Sequence, residues 1–254
     1  MNDFRSTTRF SNRVENYVKY RPHYPPEIID FLKKECNLDE NTVIADIGSG
    51  TGISAKLFLK NRNKVFGVEP NLEMRSAAEN YLKEFKNFHS IDGTAEHTTL
   101  ESESVNMIVS GQAFHWFDLN ECKSEFKRII SKNGFLILIW NERKENNDFM
   151  KAYYGLVERY GVDYEKINHA MNITDTVLGE FYSPEKFQKK IFRNPHILNY
   201  EGLEGRLLSS SYIPLDGDNF GTMISELKQM HEKYNVNGEV SMEYETNVYY
   251  GKFK

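Results

Sequence analysis

The stretch Val43-Ile44-Ala45-Asp46-Ile47 runs directly into Gly48-Ser49-Gly50-Thr51-Gly52, and no other feature constrains this chain as much. A short apolar run that ends in a turn reads as a strand buried on both faces of a parallel sheet. Glycines at its end allow a tight turn into a helix and let a ligand approach the backbone at the helix N-terminus. Ile53, Leu57 and Phe58 continue at helical spacing, and Lys64 to Glu69 gives a second strand pattern, so the order is strand, helix, strand. Met74, Ala77, Ala78, Tyr81, Leu82 and Phe85 predict a helix over Leu72 to Lys86, followed by strands at Phe88 to Ile91 and Val105 to Ser110. Leu119, Cys122, Phe126, Ile129 and Ile130 repeat the helical spacing before the turn Lys132-Asn133-Gly134 and a strand from Phe135 to Trp140. Upstream, Pro25 and Pro26 precede an apolar series that predicts a helix from Pro26 to Cys36. This alternation implies right-handed crossovers and an α/β, Rossmann-like, doubly wound and mostly parallel sheet.

After Asn141 the pattern changes. Region 143–235 reads as inserted helices around one strand, Phe187 to Phe192, and the period-two stretch Val240 to Tyr250 suits an antiparallel strand that returns to the sheet. The expected organisation is one domain: an N-terminal lid over 1–25, a ligand-binding core over 26–142, a helical cap and substrate region over 143–235, and a terminal strand over 239–252. Lys and Arg total 32 against 37 Asp and Glu, a net charge of -5 that argues against nucleic acid as a partner. No apolar run approaches the roughly 20 residues a membrane span needs. The N-terminal residues lack the apolar core of a secretory signal, and a cytoplasmic location is expected. Cys36 and Cys122 sit in apolar periodic segments and read as reduced, buried thiols. The histidines show no metal-ligand spacing, so no metal is expected.

The glycine turn departs from two common phosphate sites. A dinucleotide fingerprint requires glycine where Ile53 stands, and no Lys followed by Ser or Thr comes after Gly52 as in a P-loop. Asp46, on the strand end facing the turn, would repel a pyrophosphate but attract an ammonium. Glu69 ends the second strand, where a carboxylate can accept hydrogen bonds from both ribose hydroxyls. A ligand with a ribose at one end and an ammonium at the other is S-adenosylmethionine, with S-adenosylhomocysteine as its product.

VIADIGSGTG followed by VFGVEPNLEM resembles the first two cofactor motifs of class I S-adenosylmethionine-dependent methyltransferases. Together with Gly93-Thr94-Ala95-Glu96, the segment from Gln112 to Asp118 and Arg21-Pro22-His23-Tyr24-Pro25, it resembles the small-molecule branch that includes trans-aconitate methyltransferases. The resemblance runs from about Phe10 to Asn141, and loosely through Gly205-Arg206 and Ser209-Ser210-Ser211-Tyr212. It implies a seven-stranded sheet with an antiparallel last strand, and cofactor contacts from Asp46, Gly48, Gly50, Gly52, Glu69, Pro70, Thr94, Ala95, Glu96, Gln112 and Ala113. Thr94 stands where the family often has an Asp that caps the adenine amino group, which leaves the Ala95 amide for that contact. Arg21, on the lid, would pair with the methionyl carboxylate.

His115 and Trp116 follow the fourth strand, where loops line the ligand crevice, and are expected to shape the acceptor side. An imidazole with an ordinary pKa of about 6.5 suits a general base near neutrality. Arg206 is the candidate for holding an acidic substrate. The expected activity is methyl transfer to a small molecule, on oxygen of a small carboxylic acid. The alternatives are a methyltransferase acting on RNA, DNA or protein, and a protein that binds S-adenosylmethionine without transferring its methyl. Sequence leaves the acceptor and the oligomeric state open.

Overall fold

A computed structural model describes residues 14–162 and 173–254. Positions 1–13 of the expected lid and 163–172 of the expected cap lie outside the described residues. Helix α1 (Val14–Tyr20) leads through an extended segment to α2 (Glu27–Cys36), and the alternation then follows: β1 (Val43–Ile47), α3 (Ile53–Lys60), β2 (Lys64–Val68), α4 (Leu72–Tyr81), β3 (Phe88–Ile91), β4 (Val105–Gly111), a single 3-10 turn at Phe114–Trp116, α5 (Leu119–Ile129) and β5 (Ile130–Arg143). Beyond it come α6 (Asp148–Tyr160), α7 (Asp175–Tyr182), β6 (Gln188–Arg193), β7 (His196–Leu198), α8 (Tyr200–Leu208), α9 (Phe220–Tyr234), β8 (Val240–Met242) and β9 (Tyr244–Lys252).

The seven-stranded sheet has the order β3-β2-β1-β4-β5-β9-β6, with β1 to β5 parallel and β9 antiparallel to both its neighbours. Side chains alternate across it. Ala45, Ile47, Ile108, Leu136, Leu138 and Trp140 pack on one face with Phe126, Phe181 and Tyr249, while Ile44, Val65, Met107, Val109, Ile137 and Ile139 pack on the other with α2 and α3. Burial on both faces explains why these strands read as unbroken apolar runs.

Several boundaries differ from the sequence reading. Helix α4 stops at Tyr81 rather than Lys86, because the chain turns through bonds from Phe85 N to Leu82 O (2.8 Å) and Phe88 N to Phe85 O (3.1 Å) to enter β3. The turn around Asn133 survives as an irregularity inside a longer β5, with Asn133 at φ +64°. The terminal stretch is two strands. β8 pairs with β7, and β9 threads between β5 and β6, so the sheet edge on that side is β6 rather than the end of the chain.

The segment after β5 also builds a core of its own. Met150, Tyr153, Leu156 and Val157 of α6 pack with Leu203 and Leu207 of α8, Met223 and Leu227 of α9, and Val240 and Met242 of β8. Helix α1 docks against α8, where the Glu201 carboxylate accepts from Lys19 Nζ (2.8 Å) and Tyr20 Oη (2.7 Å). Cys36 and Cys122 are buried free thiols, and burial pushes Cys36 up to about 12. Among the described residues no helix is long and apolar enough to cross a membrane.

Candidate active site

The turn after β1 lies at the carboxyl end of the parallel strands, where open α/β sheets form their ligand crevice. Its shape follows from the glycines. At Gly48 (φ +67°) a Cβ would stand 2.5 Å from the Ala113 Cβ, so neither backbone nor space admits a side chain. At Gly50 (φ +54°) nothing lies within 4 Å of that direction, and its backbone forms part of a cavity wall. The Gly48 and Ser49 amides both donate to Val68 O, at 2.9 and 3.1 Å, and lash the turn to the end of β2.

Glu69 completes this turn. One carboxylate oxygen accepts from Gly50 N and the other from Asn71 N, both at 3.0 Å, while burial pushes the carboxyl above its ordinary range. Asp46 is fully buried beneath the turn. Its Oδ2 accepts from Ser54 Oγ at 2.6 Å, its Oδ1 has no partner, and burial pushes the carboxyl up to about 7.

A cavity of about 380 Å³ opens above. Of the residues expected at the site, Arg21, Gly48, Gly50, Gln112, His115, Trp116 and Arg206 line it. Asp46, Gly52, Glu69, Pro70, Thr94, Ala95, Glu96 and Ala113 are not on its wall. Pro70 is exposed and its carbonyl accepts from Arg75 Nη1. The Thr94 hydroxyl accepts from His97 N at 3.1 Å, Ala95 belongs to the core, and Glu96 accepts from Asp118 N at 2.9 Å. Asp46 therefore reaches the cavity only through Ser54, which does line it.

Gln112 holds a left-handed backbone conformation, φ +58°, that is costly for a residue with a side chain. It is braced by β5: its N–H donates to Ile139 O (2.9 Å) and its Oε1 accepts from Asn141 N (2.9 Å). The Asn141 side chain ties three elements together, donating to Pro22 O (3.1 Å) while its Oδ1 accepts from Thr246 Oγ1 (2.5 Å) and Asn194 Nδ2 (3.1 Å). Arg21 Nη2 donates to Ser209 O at 2.9 Å, linking the extended segment to the end of α8.

His115 packs against Trp116 with ring centroids 4.7 Å apart, and its buried Nδ1 has no partner. Burial pushes the imidazole down to about 4, so it is neutral at pH 7 and a weak base rather than one poised near neutrality. Arg206 is 3% exposed, and among the described residues no salt bridge includes it. Its Nε donates to Tyr244 Oη at 3.0 Å and its Nη1 to Ser210 Oγ at 2.9 Å. Sequence reasoning missed the wall that Arg143, Tyr154, Tyr212, Tyr244 and Tyr249 form. The one local signal was the position of Arg143 just past the carboxyl end of a core strand; the tyrosines come from elements distant in sequence.

Residues 45–138 match the family described as Methyltransferase domain. An uncharacterized methyltransferase of Schizosaccharomyces pombe is 31% identical over 151 residues, which cover 59% of this chain and 59% of that protein. A probable S-adenosylmethionine-dependent methyltransferase of Saccharomyces cerevisiae is 26% identical over 180 residues, 68% of this chain and 60% of that one. The chain thus spans about 60% of the length of the curated relatives it matches. The solved structure of a putative type II methyltransferase from Anaeromyxobacter dehalogenans aligns over 92% of this chain and 98% of its own with a TM-score of 0.64 at 17% identity, a likeness of fold.

Proposed function

We propose that this chain, whose sheet has the class I fold and whose segment 45–138 matches the methyltransferase domain, is an S-adenosylmethionine-dependent methyltransferase acting on a small molecule. The observation that carries the reading is the Gly50 backbone, open to the cavity and fastened through its N–H to Glu69, with the unpartnered Asp46 Oδ1 buried beneath. These residues fit the cofactor. A Cβ at position 50 would occupy the space its sugar and chain need; Glu69, beside Gly50 and behind the wall, keeps a lone pair on each oxygen for ribose hydroxyls, and Asp46, one hydrogen bond behind Ser54, supplies at a distance the negative field an ammonium requires. Arg21 stands on the wall as the cation for the methionyl carboxylate.

When bound, S-adenosylmethionine supplies an electrophilic methyl on a sulfonium whose positive charge disappears on transfer. The chain's part is then chiefly positioning, which is worth up to about 7–11 kcal/mol of a barrier. Gln112, held in its strained conformation by Asn141, sets the floor between β4 and β5, and His115 and Trp116 shape the acceptor side.

The acceptor is a small carboxylic acid methylated on oxygen. A carboxylate is already deprotonated at pH 7 and needs no base, which suits a site where His115, the histidine on the cavity wall among the described residues, is held neutral and weakly basic. Titration calorimetry with S-adenosylhomocysteine on the wild type, Asp46→Ala and Glu69→Ala tests the cofactor; binding that survives in both variants at wild-type affinity would falsify the assignment. Incubation with S-adenosylmethionine and a panel of small acids, alcohols and amines tests the acceptor, with product mass and ester lability in base as readouts. A product only from alcohols or amines would exclude the acid.

A further inference from the structure

One end of the cavity carries two guanidiniums that the cofactor reading leaves unused. Arg143 ends β5 and Arg206 lies in the last turn of α8, so the core and the cap contribute one each. Arg206 is held by Tyr244 Oη, Ser210 Oγ and, at 3.4 Å, Ser209 Oγ. Arg143 lies over the rings of Tyr154, 4.9 Å to the centroid, and Tyr153, 5.9 Å, and its buried Nη1 has no hydrogen-bond partner.

Among the described residues neither guanidinium pairs with a carboxylate, whereas Arg62, Arg75, Arg128, Arg159 and Arg193 all do. Glu142 also lines the cavity, but it is exposed, and among the described residues no ion pair joins it to either arginine. Burial works against charge on both groups, but the phenol oxygens of Tyr153, Tyr212 and Tyr244 favour it, and the net effect raises both guanidiniums above their ordinary value, so both stay charged. The two are near enough for Arg143 to weaken the charging of Arg206. Among the described residues, a buried Arg206 and a half-buried Arg143 with a buried Nη1 are thus two like charges with no carboxylate beside them, an unfavourable arrangement that is relieved when an anion binds between them. Guanidiniums bind carboxylate and phosphate oxygens through paired hydrogen bonds, which makes them suited to that task.

We propose that Arg143 and Arg206 together bind one anionic group, a carboxylate or a phosphate, that the methyl acceptor carries and keeps through the reaction. This rests on the acceptor reading above and sharpens it. The substrate has at least two functional groups, one that receives the methyl and one that stays charged against the arginines, so the product leaves as an anion. Tyr212, on the same wall, feels the same field: burial pushes its phenol up, and Arg143 and Arg206 more than reverse the effect.

The full-length chain, with and without S-adenosylhomocysteine, is titrated by calorimetry with succinate, inorganic phosphate and the neutral succinamide at constant ionic strength. The same titrations are run on Arg143→Gln and Arg206→Gln, with Arg143→Lys as a variant that keeps the charge. Succinate or phosphate should bind the wild type and succinamide should not; whichever anion binds identifies the group. Arg143→Gln should weaken that binding by about 10- to 100-fold while S-adenosylhomocysteine affinity stays within about threefold, and Arg143→Lys should recover part of the loss. Binding of succinamide as tight as succinate, or of neither anion, overturns the proposal. So does a variant that loses S-adenosylhomocysteine instead, since the arginines would then hold the cofactor's own carboxylate. Anion binding without any S-adenosylhomocysteine binding would leave the arginine site standing and remove the cofactor reading.

Discussion

Replacing Asp46 with Asn tests the electrostatics beneath the glycine turn. The carboxyl is fully buried, accepts from Ser54 Oγ and leaves Oδ1 without a partner, and burial raises it from 3.8 to about 7 although Ser54 and the Ala55 amide favour its charged form. Because the folded value lies above the unfolded one, the protonated native state has its full stability below pH 3.8 and loses it progressively as pH rises through 7. Each pKa unit is about 1.4 kcal/mol, so a shift of about three units costs the free protein about 4 kcal/mol between pH 4 and pH 8. Asn cannot ionise and escapes that loss, although one amide N–H left unsatisfied costs about 1–3 kcal/mol at every pH. Urea unfolding of the ligand-free wild type and Asp46→Asn at pH 4, 6 and 8 should show the variant's relative stability improving by about 4 kcal/mol across the range. A cation bound near Asp46 favours its ionised form, so S-adenosylhomocysteine should bind the wild type more tightly as pH climbs through 7, and Asp46→Asn should lack that rise. If the two proteins lose stability in parallel, within about 1 kcal/mol, the carboxyl is not raised and the argument from burial fails.

Three further outcomes follow from the cavity wall. Gly50→Ala should cost about 1–2 kcal/mol, because φ is +54°, and should abolish S-adenosylhomocysteine binding although the methyl meets no protein atom; a calorimetric affinity equal to wild type would contradict the ligand's position. With His115 held at about 4, the methyl-transfer rate should show no inflection near pH 6.5, and His115→Gln should lower it by the same factor at pH 6 and pH 8; an inflection that vanishes in the variant would restore a general base. Tyr212, faced by Arg143, Arg206, Arg21 and Ser210, has its phenol brought to about 8 by the arginines, so its phenolate should compete with a bound anion. Succinate affinity should therefore fall as pH rises above 8, and Tyr212→Phe should flatten that limb in calorimetry.

The parallel core and the glycine turn were legible in the sequence because both are local. A strand buried on two faces has to be apolar throughout, as Val43 to Ile47 and Phe135 to Trp140 are, and a turn that needs positive φ at Gly48, Gly50 and Gly52 draws glycine to those positions. Glu69 was legible from its distance along the chain to the turn, since the crossover through α3 returns the next strand beside the first. The insertion of β9 between β5 and β6 left no such mark, because strand order follows from which edges pair and a period-two pattern is the same at either place. Nor did residue type disclose that His115 is a weak base or that Asp46 titrates near 7, since both shifts come from how much water the folded chain removes. Arg143 and Arg206 show the division most clearly. In sequence they are two arginines among 32 basic residues, and their shared lack of a carboxylate partner among the described residues exists only where β5 and α8 close on one cavity. Sequence determined what must be buried and where the backbone must turn, whereas charge in this site is decided by desolvation and by neighbours that only the tertiary structure brings together.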